Sequence, residues 1–275
     1  FTEIKQSNSK LSNHWLKFRT KKKRGGIWLP LKLYQPIPEE SKLKDSLLKW
    51  NEQKQFYEVR LVYEKEVPIQ QSFSNILAID LGEKVMATVC GSWNKKPLFL
   101  GREIRGIRRH YSWLRKNLGK AKQFKKIIEL KNKEKKQIET VLHEISKKIV
   151  TSAHKHKATI FLGDLKGIRQ SSKNKGRRFR RIVSNFPYYK LTQMITYKAN
   201  WLGIQVIKIN ERNTSKTCSN CNQEGKRINQ GLFKCPHCNY QVNADFNASK
   251  NILKRSEEYI SSDGAKALAL NPSPK

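Results

Sequence analysis

The sequence predicts a mixed α/β protein: a small β-rich segment, then a larger unit of alternating strands and helices interrupted near its end by a metal-binding ribbon. Three observations predict it. Residues before about 75 alternate apolar and polar side chains at period two. From 75 onward, apolar runs of strand length are separated by stretches of helix length. Two C-x-x-C pairs, Cys218 with Cys221 and Cys235 with Cys238, stand close together near the end of the chain.

Composition bounds the partners. The 275 residues carry 57 Lys and Arg against 22 Asp and Glu, a net charge of +35, so the chain is a polyanion binder and nucleic acid is its natural partner. Packing on phosphate, as a ribosomal protein does, is the plain reading of that charge alone. No apolar run reaches the roughly 18 residues of a spanning helix and no signal peptide is visible, which predicts a soluble, cytoplasmic, nucleoid-associated protein. Four of the five cysteines lie in the knuckles, which fits a reducing compartment and leaves Cys90 as a small buried residue.

In the β-rich segment, residues 1–74, strands are predicted at His14–Phe18, Gly26–Tyr34 and Gln55–Tyr63, forming a small sheet or barrel. Its Lys21–Arg24 turn faces phosphate or is simply solvated. In the larger unit, Ile76–Asp80 is a hydrophobic strand ending on a carboxylate at a tight glycine turn. Val85–Cys90 and Pro97–Leu100 follow as strands, and 102–157 has the periodicity of an inserted helical hairpin. A fourth strand, Ala158–Leu165, leads into a basic loop, Lys166–Arg181. A helix over 187–202 and a fifth strand, Gly203–Ile209, end at Asn210-Glu211-Arg212. A three-stranded meander followed by β-α-β crossovers is the order of an RNase H-like fold. The ribbon spans 216–240, a last helix 241–254, and a disordered tail 255–275.

Each C-x-x-C pair presents two thiolates about 2.3 Å from a common point, so Cys218, Cys221, Cys235 and Cys238 hold one tetrahedral Zn²⁺. His237 sits inside the second knuckle, but four thiolates already fill the tetrahedron. Asp245 follows seven residues after Cys238, and an acidic residue there implies that the ribbon positions something. A hydrophobic strand ending on Asp80 is poor economy for a core unless the carboxylate is used. His143, His154 and His156, in the basic helical stretch, read as solvated side chains.

These residues carry a resemblance. The chain resembles the TnpB (OrfB) proteins of insertion sequences, relatives of the type V CRISPR nucleases, in Ile79-Asp80-Leu-Gly82, Gly163-Asp164-Leu-Lys-Gly-Ile-Arg169, Thr214–Cys221, Cys235–Cys238 and Asn243–Leu253. The resemblance covers about residues 50–254 and implies a RuvC-like nuclease domain interrupted by a zinc ribbon. It further implies an RNA-guided DNA endonuclease of a transposable element, with DNA target and guide RNA as partners. Family members are typically longer at the N-terminus, so the chain, which opens at Phe1, is expected to be N-terminally truncated. The family's site is three carboxylates holding two Mg²⁺. Asp80 and Asp245 match the first and third.

The second carboxylate is absent: Gly163 stands where the family has Glu. Asp164 is adjacent, but successive strand residues point to opposite faces. Glu211 ends the neighbouring strand, about 4.8 Å away laterally, and a family subgroup with Gly-Asp at the fourth strand carries Glu before the Thr-Ser of the ribbon. Glu211 is therefore predicted to supply the relocated carboxylate, with Asp164 the alternative. Arg169, Lys175, Arg177, Arg178, Arg180, Arg181 and Lys250 are predicted to meet phosphate. Phe186, Tyr188 and Tyr189 either stack on a displaced strand or anchor a helix. The rival reading is a nuclease-inactive RNA-guided DNA-binding protein or repressor, or a degenerate transposase-associated DNA-binding protein.

Overall fold

The computed structural model describes residues 3–7, 9–19, 25–52, 55–68, 75–165, 167, 170, 174–229 and 231–267, with main chain alone at 3, 95, 178 and 262–267. The Lys21–Arg24 turn, Arg169, the side chain of Arg178 and residues 268–275 lie outside that description. Two compact units divide at Val67/Pro68, between the last strand of one and the first of the other, rather than at 74.

In the first unit, β1 (Glu3–Gln6), β2 (His14–Arg19) and β3 (Gly26–Leu31) form an antiparallel sheet, and β4 (Lys42–Asn51) pairs with β5 (Phe56–Glu64) as a separate hairpin. These are two sheets, not a barrel, among the described residues. Alternation places Leu16 on one face of the sheet, where it is buried. The strand at 42–51 escapes the period-two pattern because its register shifts between Lys44 and Leu47, which inverts the phase of the alternation.

The second unit is built on a five-stranded sheet, β10 (Val206–Asn210), β9 (Ala158–Asp164), β6 (Asn75–Asp80), β7 (Ala87–Gly91) and β8 (Asn94–Leu100), in that spatial order. The β6-β7-β8 meander is antiparallel, whereas β6, β9 and β10 run parallel. Helices make the crossovers. The hairpin α1 (Glu103–Lys120) and α2 (Phe124–Lys155) joins β8 to β9, and α3 (Arg177–Asn185) with α4 (Tyr188–Trp201) joins β9 to β10. The helix α5 (Ala244–Ala267) closes the chain.

Strand parity decides what each face of the sheet meets. Leu77, Ile79, Ile160 and Leu162 pack with Leu142 and Ile149 of α2 and Leu191 and Ile195 of α4. The intervening Ile76, Ala78 and Phe161 pack with Ile252 of α5. Phe161 is fully buried there, a residue whose truncation to alanine costs about 3–5 kcal/mol. Asp80 and Gly163 continue the α5-facing rows, and Asp164 falls on the other.

Two expectations are corrected. The basic stretch to Arg181 is not all loop: Arg177, Arg180 and Arg181 open α3, because Ile182, Val183 and the following Phe186 give the segment an apolar edge, with Val183 and Phe186 buried. Nor is 255–267 a disordered tail. α5 continues through it, with Ser256 buried and Tyr259 edge-on to Phe161 at 6.0 Å. No described helix is long and apolar enough to cross a membrane.

Candidate functional site

Asp80, Glu211 and Asp245 line one cleft of about 450 Å³ on the α5 face of the sheet, together with Glu83, Lys84 and Arg227. Asp80 is the last residue of β6, and the chain turns sharply after it. A side chain at Gly82 would bring a Cβ within 2.9 Å of the Val85 carbonyl oxygen, so only glycine fits the turn without a shift. Asp245 sits in the first turn of α5, where the helix dipole favours a carboxylate. Its backbone N–H and that of Phe246 donate to the Asn243 side-chain oxygen at 3.0 and 3.1 Å, which caps the helix.

Glu211 lies one residue beyond β10. That strand runs parallel to β9 with Ile209 opposite Gly163 and Asn210 opposite Asp164. A Cβ built on Gly163 would stand 2.5 Å from Glu211 Oε2 and 3.4 Å from Glu211 Cβ. The Glu211 carboxylate thus occupies the volume that a side chain at 163 would take. Asp164 does not line the cleft, in keeping with its strand parity, though its charge acts on Glu211.

Burial first, then the charges of Asp245 and Glu211, push the Asp80 carboxyl up to about 8 against the opposing charge of Arg227. Burial, followed by Asp164, raises Glu211 to about 7. Negative charge is thus crowded in a partly desolvated cleft, a donor set that suits divalent cations. The three carboxylates are more open than a closed cage: among the described residues only the four cysteines bring all their ligand atoms within 4.8 Å of one another. Arg227 Nη2 pairs with Asp245 Oδ1 at 2.7 Å, with the Asp245 side chain only 10% exposed. The sequence reading missed Arg227. It sits in a polar stretch between the knuckles, on the two-residue strand β11 (Lys226–Arg227), and no periodicity or motif marks it.

The ribbon adds β12 (Phe233–Lys234) and β13 (Gln241–Val242), with Phe233 buried among Cys218, Cys235 and Ala244. Its sulfurs fit zinc: Cys218 and Cys238 are 3.7 Å apart and Cys221 and Cys235 are 3.5 Å apart. Sulfurs 2.3 Å from a central zinc are about 3.8 Å apart in a regular tetrahedron. The backbone at Tyr240, then the Asn220 amide, hold the Cys238 thiol down to about 6, toward the thiolate that binds metal. His237 is outside this group.

The other predicted residues are dispersed. Lys175, Arg177, Arg180 and Arg181 are exposed at and before the start of α3. Lys250 donates to the Tyr240 hydroxyl at 3.1 Å and lies 4.8 Å from the Phe246 ring centroid. Phe186 is buried core, with Tyr188 packed against it, and Tyr189 is 60% exposed. Cys90 is buried. His156 stacks on Trp93 at 4.2 Å.

The Cas12f1-like TNB domain family matches residues 188–252, which run from α4 through the ribbon to Asp245 and beyond. The TnpB-like protein MJ0751 of Methanocaldococcus jannaschii is 31% identical over 205 residues, covering 70% of this chain and 73% of the relative. The CRISPR-associated endodeoxyribonuclease Cas12f1 of Sulfoacidibacillus thermotolerans is 42% identical over 137 residues, 49% of this chain but 31% of that protein. This chain therefore spans much of the archaeal relative and under a third of the Cas12f1 one. Among solved structures, a Cas12f1–sgRNA–target DNA complex shares the fold with TM-score 0.55 at 23% identity, over 71% of this chain and 52% of that one. By its identity to MJ0751 over most of both chains, this protein belongs to the TnpB-like family.

Proposed function

We propose that the chain is the nuclease portion of an RNA-guided DNA endonuclease of a transposable element, cutting phosphodiesters at a RuvC-like centre of Asp80, Glu211 and Asp245. The observation that carries this reading is the shared volume of Gly163 and Glu211: the Glu211 carboxylate lies where a side chain at 163 would stand, which supports Glu211 as the second carboxylate. Relatives named as endodeoxyribonucleases and similarity to complexes with guide RNA and target DNA support the reaction class and partners.

The three carboxylates would hold two Mg²⁺, which when bound supply a hydroxide nucleophile and stabilise the leaving oxygen. Burial, reinforced by neighbouring carboxylates, raises Asp80 and Glu211, and the positive charge of bound cations would oppose that shift. Arg227 restrains Asp245 and brings a guanidinium to the cleft, where a phosphate oxygen gathers negative charge. The exposed basic residues of α3 fit the strand's phosphates. Cys218, Cys221, Cys235 and Cys238 would hold zinc, which would order a ribbon with little core of its own, and Arg227 on that ribbon pairs with Asp245.

The test is Mg²⁺-dependent cleavage of plasmid and single-stranded DNA by protein co-expressed with its flanking RNA, beside Asp80→Ala and Glu211→Ala. Loss of cleavage in both variants is expected. RNA-dependent DNA binding without cleavage by the parent would instead make this a guided binding protein, and parental cleavage by Glu211→Ala would remove Glu211 from the centre.

A further inference from the structure

Glu211 raises a problem that a glutamate on β9 would not. A residue at 163 is held by ladder hydrogen bonds within the sheet, whereas Glu211 lies past the last register pair, Asn210 with Asp164. Something else must fix its backbone if its carboxylate is to stay in register with Asp245. The helix that carries Asp245 does so. Asn247, Asn251 and Arg255 follow one another at four-residue spacing on α5, and neighbours at that spacing share a helix face.

All three grip the segment from Asn210 to Ser219. Asn247 is buried, accepts the Ser219 backbone N–H at 2.9 Å and donates to the Thr217 carbonyl at 2.7 Å. Asn251 is buried too, and its amide nitrogen donates to the Thr214 and Thr217 carbonyls at 2.8 and 2.7 Å. Thr214 passes the restraint on, donating to the Glu211 carbonyl from its backbone N–H at 3.1 Å and from its hydroxyl at 2.8 Å. Arg255 brackets Glu211 directly. Its Nη1 donates to the Asn210 carbonyl and its Nη2 to the Arg212 carbonyl, each at 2.6 Å. Asparagine is a poor choice for a helix interior, and a guanidinium spent on two backbone carbonyls is not spent on phosphate. Both choices make sense if the helix must hold this loop.

We infer that Asn251 and Arg255, with Asn247, are positioning residues: they lock the Glu211 loop to the helix bearing Asp245 and so set the spacing of those two carboxylates. The inference rests on Glu211 belonging to the centre. A strand-borne carboxylate has the sheet as its scaffold, and the relocated one has α5.

The test uses the full chain and Mn²⁺ as probe, reading Mn²⁺ affinity by electron paramagnetic resonance and Mg²⁺-dependent cleavage, with zinc content and melting temperature measured on each variant. Arg255→Ala is expected to weaken Mn²⁺ binding about fivefold or more and slow cleavage about tenfold with zinc content unchanged. Arg255→Lys is expected to behave like Arg255→Ala, because lysine keeps the charge but cannot fork to two carbonyls. Asn251→Ala is expected to act in the same direction. Arg255 is solvent-accessible, so its variants still decide the matter if Asn251→Ala fails to fold. Parental Mn²⁺ affinity and rate in both Arg255 variants would overturn the inference, as would an Arg255→Lys protein that matches the parent while Arg255→Ala does not, since that pattern marks a charge contact. A Glu211→Ala protein that cleaves like the parent would instead overturn the site reading on which the clamp depends.

Discussion

Replacing Gly163 by alanine perturbs the proposed centre where it is most crowded. The new Cβ would lie 2.5 Å from Glu211 Oε2, 3.3 Å from Ile252 Cδ1 and 3.4 Å from Glu211 Cβ. The first contact is about 1 Å inside the optimal carbon separation of about 3.5 Å, whereas the other two are tight but tolerable. The atom that must yield is the tip of a flexible side chain, so the cost to the fold is small, about 1 kcal/mol. The cost to chemistry is not small. A reacting group displaced by about 1 Å loses on the order of 10²-fold in rate, and this displacement is forced on the carboxylate itself. Thermal unfolding and Mg²⁺-dependent cleavage of Gly163→Ala, Glu211→Ala and the double variant complete a cycle. The stability change of Gly163→Ala is expected to shrink in the Glu211→Ala background, a coupling of about 0.5–1 kcal/mol. Carrying the carboxylate back, Gly163→Glu with Glu211→Ala, is expected to recover much of the cleavage that Glu211→Ala loses. Parental cleavage by Gly163→Ala, or strict additivity in the cycle, would refute the claim that positions 163 and 211 share one volume.

Further expectations concern pH and zinc. Asp80 has a folded pKa of about 8 against about 4 when unfolded, so its burial in the charged form opposes folding. Without divalent ions, stability relative to Asp80→Asn is therefore equal below about pH 4, falls as pH rises toward 8 and levels off above. Discounted for solvent at the cleft mouth, the gap reaches about 2–3 kcal/mol, and a gap that stays flat across urea unfolding at pH 4–8 would contradict the electrostatic reading. Chelation of zinc should remove hydrogen-exchange protection from residues 216–240 first, with β6 and β9 still protected; a ribbon that stays protected would rule out the metal.

Much of this was legible in the chain because the responsible physics is local. Ile76–Asp80 and Ala158–Asp164 announce themselves as strands buried on both faces, since unbroken apolar runs fit a sheet packed by helices on both sides. Strand parity alone separates Gly163 from Asp164; Glu211 takes the space beside Gly163, and Asp164 does not line the cleft. Cysteine spacing gives the ribbon. What escaped depends on contacts distant in sequence. Arg227 matters only because the ribbon folds back onto Asp245. The last turns of α5 look like a polar tail until Tyr259 is seen against Phe161. β4 is hidden by its own bulge, and α3 by a composition in which charge outweighs its one apolar edge. The asparagines of α5 read as a motif, but their partners, the carbonyls of Thr214 and Thr217, are backbone atoms that no sequence pattern names.

The most direct test of the relocated centre is an anomalous difference map from crystals of the protein soaked in Mn²⁺. Mn²⁺ is expected to be bonded by the carboxylates of Asp80, Glu211 and Asp245. Mn²⁺ held by Asp80 and Asp245 together with Asp164, or with Glu211 turned out of the cleft, would contradict it.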